Sequence, residues 1–371
     1  MGRSYSFARY LRIAVTAAIL VFLALSPPWI LRGLNREAYV GFLSKPAPEW
    51  HGRIEIWHVA EFRVYQGSVT DYLQKRADAY CRRHAGVHID VVGLTLKRYN
   101  DRLARGAFPD AYSFPSGLVY REQLCAIEPA LPALRGALST ASADGKTYAV
   151  PYLMSGYLLA ANTTLLTAHG LALPESSDEA AVKTLLQAAL DLEAKAPQLY
   201  MPPVLAARMG LAGTLATQEQ FTGGQTALAV LDVRALGDVL RSEKLNLAVE
   251  AMPLTNYSEQ VLYLGAAKNV DAQKAAVIAD FIEFLLAEDE QQRLTSLGAL
   301  PVTQLETPPV YTEELLDGLY LAYSSPAVPD PFSYQRHKEK LAEEALSALT
   351  GEPSAVTSFF ERMQVVENGN I

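Results

Sequence analysis

Residues 53–58 read Arg-Ile-Glu-Ile-Trp-His, alternating polar and apolar as a strand with one buried face does. A loop over 59–67 comes next, then a helix over about 68–83 with Ser68 or Thr70 as its N-cap and Val69, Leu73, Ala77 and Tyr80 at helical spacing. Gly86 ends that helix, and residues 87–92 (Val-His-Ile-Asp-Val-Val) read as a second strand. A further helix over 96–105 leads to Pro109-Asp110-Ala111-Tyr112, which opens a third strand. Strands alternating with helices imply βαβ units and a largely parallel sheet. Ligands of such sheets sit beyond the carboxyl ends of the strands, here near His58–Glu61 and Tyr112–Ser116.

The rest of the chain keeps the mixed pattern. Residues 177–194 form a capped, periodic helix, 226–231 a short apolar strand, 260–266 another strand, 272–286 an amphipathic helix, and 338–349 a last strong helix closed by Gly351. A length of 371 residues exceeds what one hydrophobic core usually supports, so two lobes are expected. The net charge of -8 and the lack of any Lys/Arg-rich run argue against a nucleic-acid partner.

The amino terminus differs in composition. Residues 13–25 (IAVTAAILVFLAL) carry no charge, and Arg3, Arg9 and Arg12 precede them. That layout exports the remainder of the chain, with the arginines on the cytoplasmic side. Pro27 and Pro28 spoil a cleavage site after Ser26, so residues 1–33 are expected to remain as a transmembrane signal anchor and 34–51 to act as a linker. The implied localisation is the cell membrane, with the bulk of the chain on the periplasmic or extracellular side. Cys81 and Cys125 lie in the exported part, where they are either a disulfide or two small buried hydrophobes.

Several stretches in order resemble a known family. They are Ile54-Glu55-Ile56-Trp57-His58, Phe108-Pro109-Asp110-Ala111-Tyr112, the hairpin Asp144-Gly145-Lys146-Thr147-Tyr148-Ala149-Val150-Pro151-Tyr152 with Asn162 and Gly170-Leu171 beyond it, and Phe221-x-x-Gly224-Gln225-Thr226-Ala227-Leu228. The late stretches are Phe281-Ile282-Glu283-Phe284-Leu285-Leu286 with Glu290-Gln291 and Gly298-Ala299-Leu300-Pro301-Val302, then Leu349-Thr350-Gly351-Glu352-Pro353-Ser354. Over residues 53 to about 362 the chain resembles the bacterial extracellular solute-binding proteins of family 1, which include maltose-binding proteins. The resemblance implies an α/β, two-lobed periplasmic-binding-protein-like fold of type II, each lobe a mainly parallel sheet flanked by helices, with the ligand cleft between lobes. It implies lobes of 52–155 with 259–305 and of 156–258 with 306–371. Its functional implication is capture of a small solute, a sugar first, and delivery to ABC permease subunits; a membrane-anchored sensory or scaffold role is the alternative. Ser176-Ser177-Asp178-Glu179 and Asp232-Val233-Arg234 lack the tryptophans that relatives carry, so the aromatic platforms of a sugar site are expected to be reduced.

A carbohydrate site needs ring faces against sugar C–H surfaces and planar polar groups for the hydroxyls. The candidates are His58, Glu61 and Tyr65 after the first strand, Tyr112 after the third, and Tyr152 and Tyr157 near the hinge. Asp232 and Arg234 come from the second lobe, Tyr257 from the return segment, and Tyr334, beside Phe332, from a late aromatic segment. No enzyme motif supports catalysis. His84 and His88 are spaced i, i+4 but straddle Gly86, so a metal site is not expected there, nor is a cofactor.

Overall fold

The computed structural model describes residues 50–369 apart from 60, 176–177, 193, 243–247 and 255–256. The expected anchor at 1–33 and most of the 34–51 linker lie outside the described residues. Among the described residues no helix is long and apolar enough to cross a membrane.

Two sheets organise the chain. The first contains β1 (Gly52–Val59), β2 (Val87–Leu94), β3 (Ala111–Pro115), β4 (Ala141–Ala143), β5 (Lys146–Met154) and β10 (Val261–Ala266), in the order β2-β1-β3-β10-β5-β4. The second contains β6 (Tyr157–Asn162), β7 (Leu199–Tyr200), β8 (Leu228–Asp232) and β9 (Val249–Pro253), in the order β7-β8-β6-β9. The chain thus leaves the first sheet after β5, builds the second, and returns as β10.

The expectation of mainly parallel sheets is corrected. β1 runs parallel to β2 and β3, as the βαβ reading requires. However, β10 is antiparallel to both β3 and β5. In the second sheet β6 is antiparallel to β8 and β9, and only the short β7 is parallel to its neighbour. The physical reason is the return path. A strand that re-enters from the other lobe starts at the cleft edge, where β3 and β5 end, so it must run against them.

Local chemistry explains the element ends. Ser68 accepts from the Asp71 N–H and starts the Val69–Cys81 helix, and Thr95 does the same for Leu96–Ala104. The Asp110 carboxylate accepts the Glu55 N–H at 2.9 Å and pairs with Lys274 Nζ at 2.7 Å, so the Pro-Asp turn ties β1 to the Ala272–Leu286 helix. Asp144 (φ 51°) and Gly145 (φ 71°) form the tight β4–β5 turn. The late helix starts earlier than its periodicity suggested, at Pro331–Ala348, because Asp330 caps it and Pro331 occupies the first helical position. A further helix, Pro353–Asn368, packs beside it and was not foreseen.

The first sheet's core includes Ile54, Ile56, Leu73, Phe114, Leu264 and Phe281. Gln291 stitches its far side. Its amide donates to the Tyr152 and Leu285 carbonyls, and its oxygen accepts the Val302 N–H. The second sheet has two different faces. Leu159, Ala161 and Val230 pack against Leu341, Ala345 and Phe359 of the last two helices. Leu158, Ala160 and Leu231 face Leu236, Leu316 and Leu319 and belong to the same cluster as the first sheet's core.

Cys81 and Cys125 are unbonded and half-buried, and burial raises both thiol pKa values. His84 stacks on Tyr80 and bonds its carbonyl at 3.0 Å. Among the described residues no group of His, Cys, Asp or Glu could hold a metal.

Candidate functional site

Two chain passages join the sheets, one from β5 to β6 and one from β9 to β10, and a third segment clamps them. Tyr323, which follows the Glu314–Ala322 helix, accepts the Tyr157 N–H at 3.0 Å and donates to the Tyr257 carbonyl at 2.9 Å. One buried hydroxyl therefore bonds both passages. Its ring fits only because residue 156 is glycine; a Cβ there would stand 2.5 Å from Tyr323 Cζ.

Around this clamp lies a tyrosine and carboxylate cluster. The Tyr157 phenol donates to Glu259. Tyr334, in the first turn of Pro331–Ala348, is half-buried, and Glu259 and Glu61 both act on its phenol, adding to the upward pKa shift that burial causes. Glu259 and the Tyr334 phenol act on Tyr257 in the same way. Glu259 itself is half-buried, and desolvation pushes its carboxyl pKa up against the opposing bond from Tyr157.

A second contact joins the loop after β1 to the helix that follows β8. Tyr65 rests on the Val233–Leu240 helix, where a Cβ at Gly237 would come within 2.8 Å of its ring. Arg241 covers the Tyr65 ring at 4.7 Å and donates to its carbonyl at 3.2 Å. Asp232 caps the same helix through the Ala235 N–H at 2.7 Å. Burial raises its pKa, and Arg63 from the facing loop works in the opposite direction. A small cavity of 280 Å³ sits here, with Phe62, Arg63, Ser68 and Thr70 on one side and Arg234 on the other. A larger hollow of 980 Å³, lined by Tyr200, Leu215, Glu219, Leu346 and Leu349, lies beside β7 and the late helix, away from this contact.

The sequence candidates therefore divide into three groups. Tyr157, Tyr257 and Tyr334 gather at the hinge cluster, with the Glu61 charge acting on Tyr334, and Tyr65, Asp232 and Arg234 meet at the arginine-lined contact. His58, Tyr112 and Tyr152 lie inside the first sheet. Tyr112 is packed edge-on against Trp57 and Tyr99, and the His58 Nδ1, Ser113 Oγ and Tyr152 Oη atoms form a chain with two 2.8 Å links. Sequence reasoning missed Glu259 and Tyr323. The polar triplet Ser258-Glu259-Gln260 just before an apolar strand was a usable signal for the first; nothing local marked the second.

Glu259→Gln keeps an acceptor for Tyr157 and removes a charge that burial disfavours. A raised folded-state pKa means that the acid form's stability is present below the unfolded value and lost as pH rises through the folded one. The variant should therefore melt about 2 °C higher than the parent near neutral pH, with the gain vanishing towards pH 4. Scanning calorimetry across that range checks this, and a lower melting temperature at neutral pH would contradict it.

No protein-family model matches the sequence, and no curated protein matches it. Solved structures do. The GacH receptor of Streptomyces glaucescens, solved unliganded and with acarbose, aligns with a TM-score of 0.57 at 19% identity, covering 86% of this chain and 99% of that one. The cyclic α-maltosyl-1,6-maltose binding protein of Arthrobacter globiformis gives 0.57 at 17% identity, with 86% and 99% covered. The sugar-binding protein MalE of Xanthomonas citri gives 0.57 at 14% identity, with 85% and 97% covered. At these identities the likeness is one of fold: the chain has the mixed α/β, two-sheet architecture of MalE-like type II periplasmic binding proteins.

Proposed function

We propose that this chain is an extracytoplasmic solute-binding protein that captures a carbohydrate between its lobes and delivers it to an ABC importer. The observation that carries the reading is the hinge cluster, where Tyr334 from the late helix and the Tyr157–Glu259 pair from the two crossing passages gather and the Glu61 charge from the loop after β1 acts on Tyr334. Rings and planar acceptors from both sides of a hinge are what closure on a sugar requires. The ligands named for the structural neighbours, acarbose and cyclic α-maltosyl-1,6-maltose, support the same class. In this reading the lobes are 52–155 with 259–305 and 156–258 with 306–371, and binding rather than catalysis is the activity. The apolar run at 13–25 supports an exported domain tethered at the cell membrane, with the permease subunits as protein partners.

A thermal-shift screen with maltotriose, acarbose and glucosamine oligomers tests the reading. A ligand held only by the folded state at about a hundred times its Kd adds about 2.7 kcal/mol, a shift of several degrees. A folded protein whose melting temperature is unmoved by every saccharide would refute the carbohydrate assignment.

A further inference from the structure

The hinge holds a desolvated carboxylate together with buried polar atoms that lack partners. Among the described residues, neither Glu61 nor Glu259 forms an ion pair with a lysine, arginine or histidine. The neighbouring cations are engaged elsewhere or point away. Arg208 lies over the Tyr257 ring at 4.7 Å and pairs with Glu367, Arg336 reaches Glu122, and Lys338 lays its stem beside Gly117. Arg63 acts on Asp232. Next to Glu259, Gln260 is 6% exposed. Its side chain bonds the Tyr157 phenol, yet its Oε1 has no partner. The Tyr157 hydrogen is already committed to Glu259. The Ser155 N–H donates to the Gln260 carbonyl and the Ser116 N–H to the Val261 carbonyl, and both serine hydroxyls are buried and unpartnered beside that strand entry.

We propose that this hinge subsite takes a protonated amine, so that the captured solute is an amine-bearing one, an amino sugar if the carbohydrate reading above holds. An ammonium group has hydrogens to donate and no lone pair, which matches the Glu259 carboxylate and Gln260 Oε1. A neutral hydroxyl can donate to the same acceptors but brings no positive charge to pair with the desolvated carboxylate. The tyrosines at the cluster add ring faces that attract a desolvated cation. The same charge would relieve the desolvation that raises the Glu259 pKa, so binding of the amine is expected to weaken as falling pH protonates that carboxyl.

Calorimetry on the full-length protein provides the test, with four probes: the β1,4 glucosamine trisaccharide, its N-acetylated form, cellotriose and spermidine. At about pH 6.5 the glucosamine trimer should bind about tenfold or more tightly than either neutral trisaccharide. That margin should shrink at about pH 4.5, where the amine is still protonated, and Glu259→Gln should lower amine affinity about tenfold while its melting curve shows it folded. Neutral trisaccharides binding as tightly as the amine would overturn the amine subsite and leave the carbohydrate reading standing. Spermidine binding without any saccharide would uphold the amine subsite and overturn the carbohydrate reading. Binding of none of the four would overturn both.

Discussion

Replacing Tyr323 with phenylalanine is expected to cost about 3 kcal/mol of folding free energy although every apolar contact of the ring is retained. The lost hydroxyl bonds both the Tyr157 N–H and the Tyr257 carbonyl, and the site is fully buried. Removing it deletes both bonds and leaves the buried Tyr157 N–H without the hydroxyl it donates to, a penalty of about 1–3 kcal/mol on top of the bonds themselves. For a chain of this size that is a drop of about 4 °C in melting temperature. The two groups that the hydroxyl bonds lie on the two crossing passages, so the variant should also hold those passages together less firmly, seen as faster hydrogen exchange at residues 155–158 and 257–260. A melting temperature within about 1 °C of the parent would mean that the clamp carries no weight.

The second large effect concerns pH. His58 is fully buried at the end of β1, and desolvation lowers its pKa from 6.5 to about 4. The folded protein keeps the ring neutral, while the unfolded chain takes up a proton below pH 6.5. Stability from this residue is therefore complete above pH 6.5 and is lost as the pH falls towards 4, a loss of about 3 kcal/mol. In His58→Asn the amide can still reach Ser113 Oγ but does not titrate, so its stability should change less between those pH values. Urea midpoints for both proteins across the interval give the comparison. A ring that titrates near 6.5 by NMR would remove the basis of the prediction.

These two residues also mark how far local sequence reaches. The first three strands and their helices were legible because alternation, helical spacing and caps such as Ser68 act over a few residues. The direction of β10 was not, because it depends on where the chain returns after a long excursion into the other sheet. Tyr112 reads as a cleft residue from its place after the third strand, and Tyr152 from its place near the hinge. Their strands are interior to the sheet, and their rings turn into its core instead. Tyr157, Tyr257 and Tyr334, read from the hinge, the return segment and the late aromatic segment, do gather at one cluster, and Glu61, read from the loop after the first strand, acts on Tyr334 through its charge. Glu259 escaped notice because the burial of a carboxylate is a tertiary property, invisible in the alternation around it. The late helix was read too short because Tyr334, Arg336 and His337 blur its apolar stripe, although Asp330-Pro331 held the start signal.

The interleaved connectivity has a consequence for how the chain can be made. The first sheet cannot close until β10, at residues 261–266, slots between β3 and β5. The second sheet's far face stays bare until Leu341, Ala345 and Phe359 arrive. During synthesis from the amino terminus the first sheet waits for β10, and the second sheet's far face waits for the residues after 331. Many of its contacts join distant points in sequence, which slows folding and prolongs the time that unpaired strand edges are exposed. A nascent chain stalled before residue 331 would therefore be a substrate for chaperones rather than a half-built binding protein.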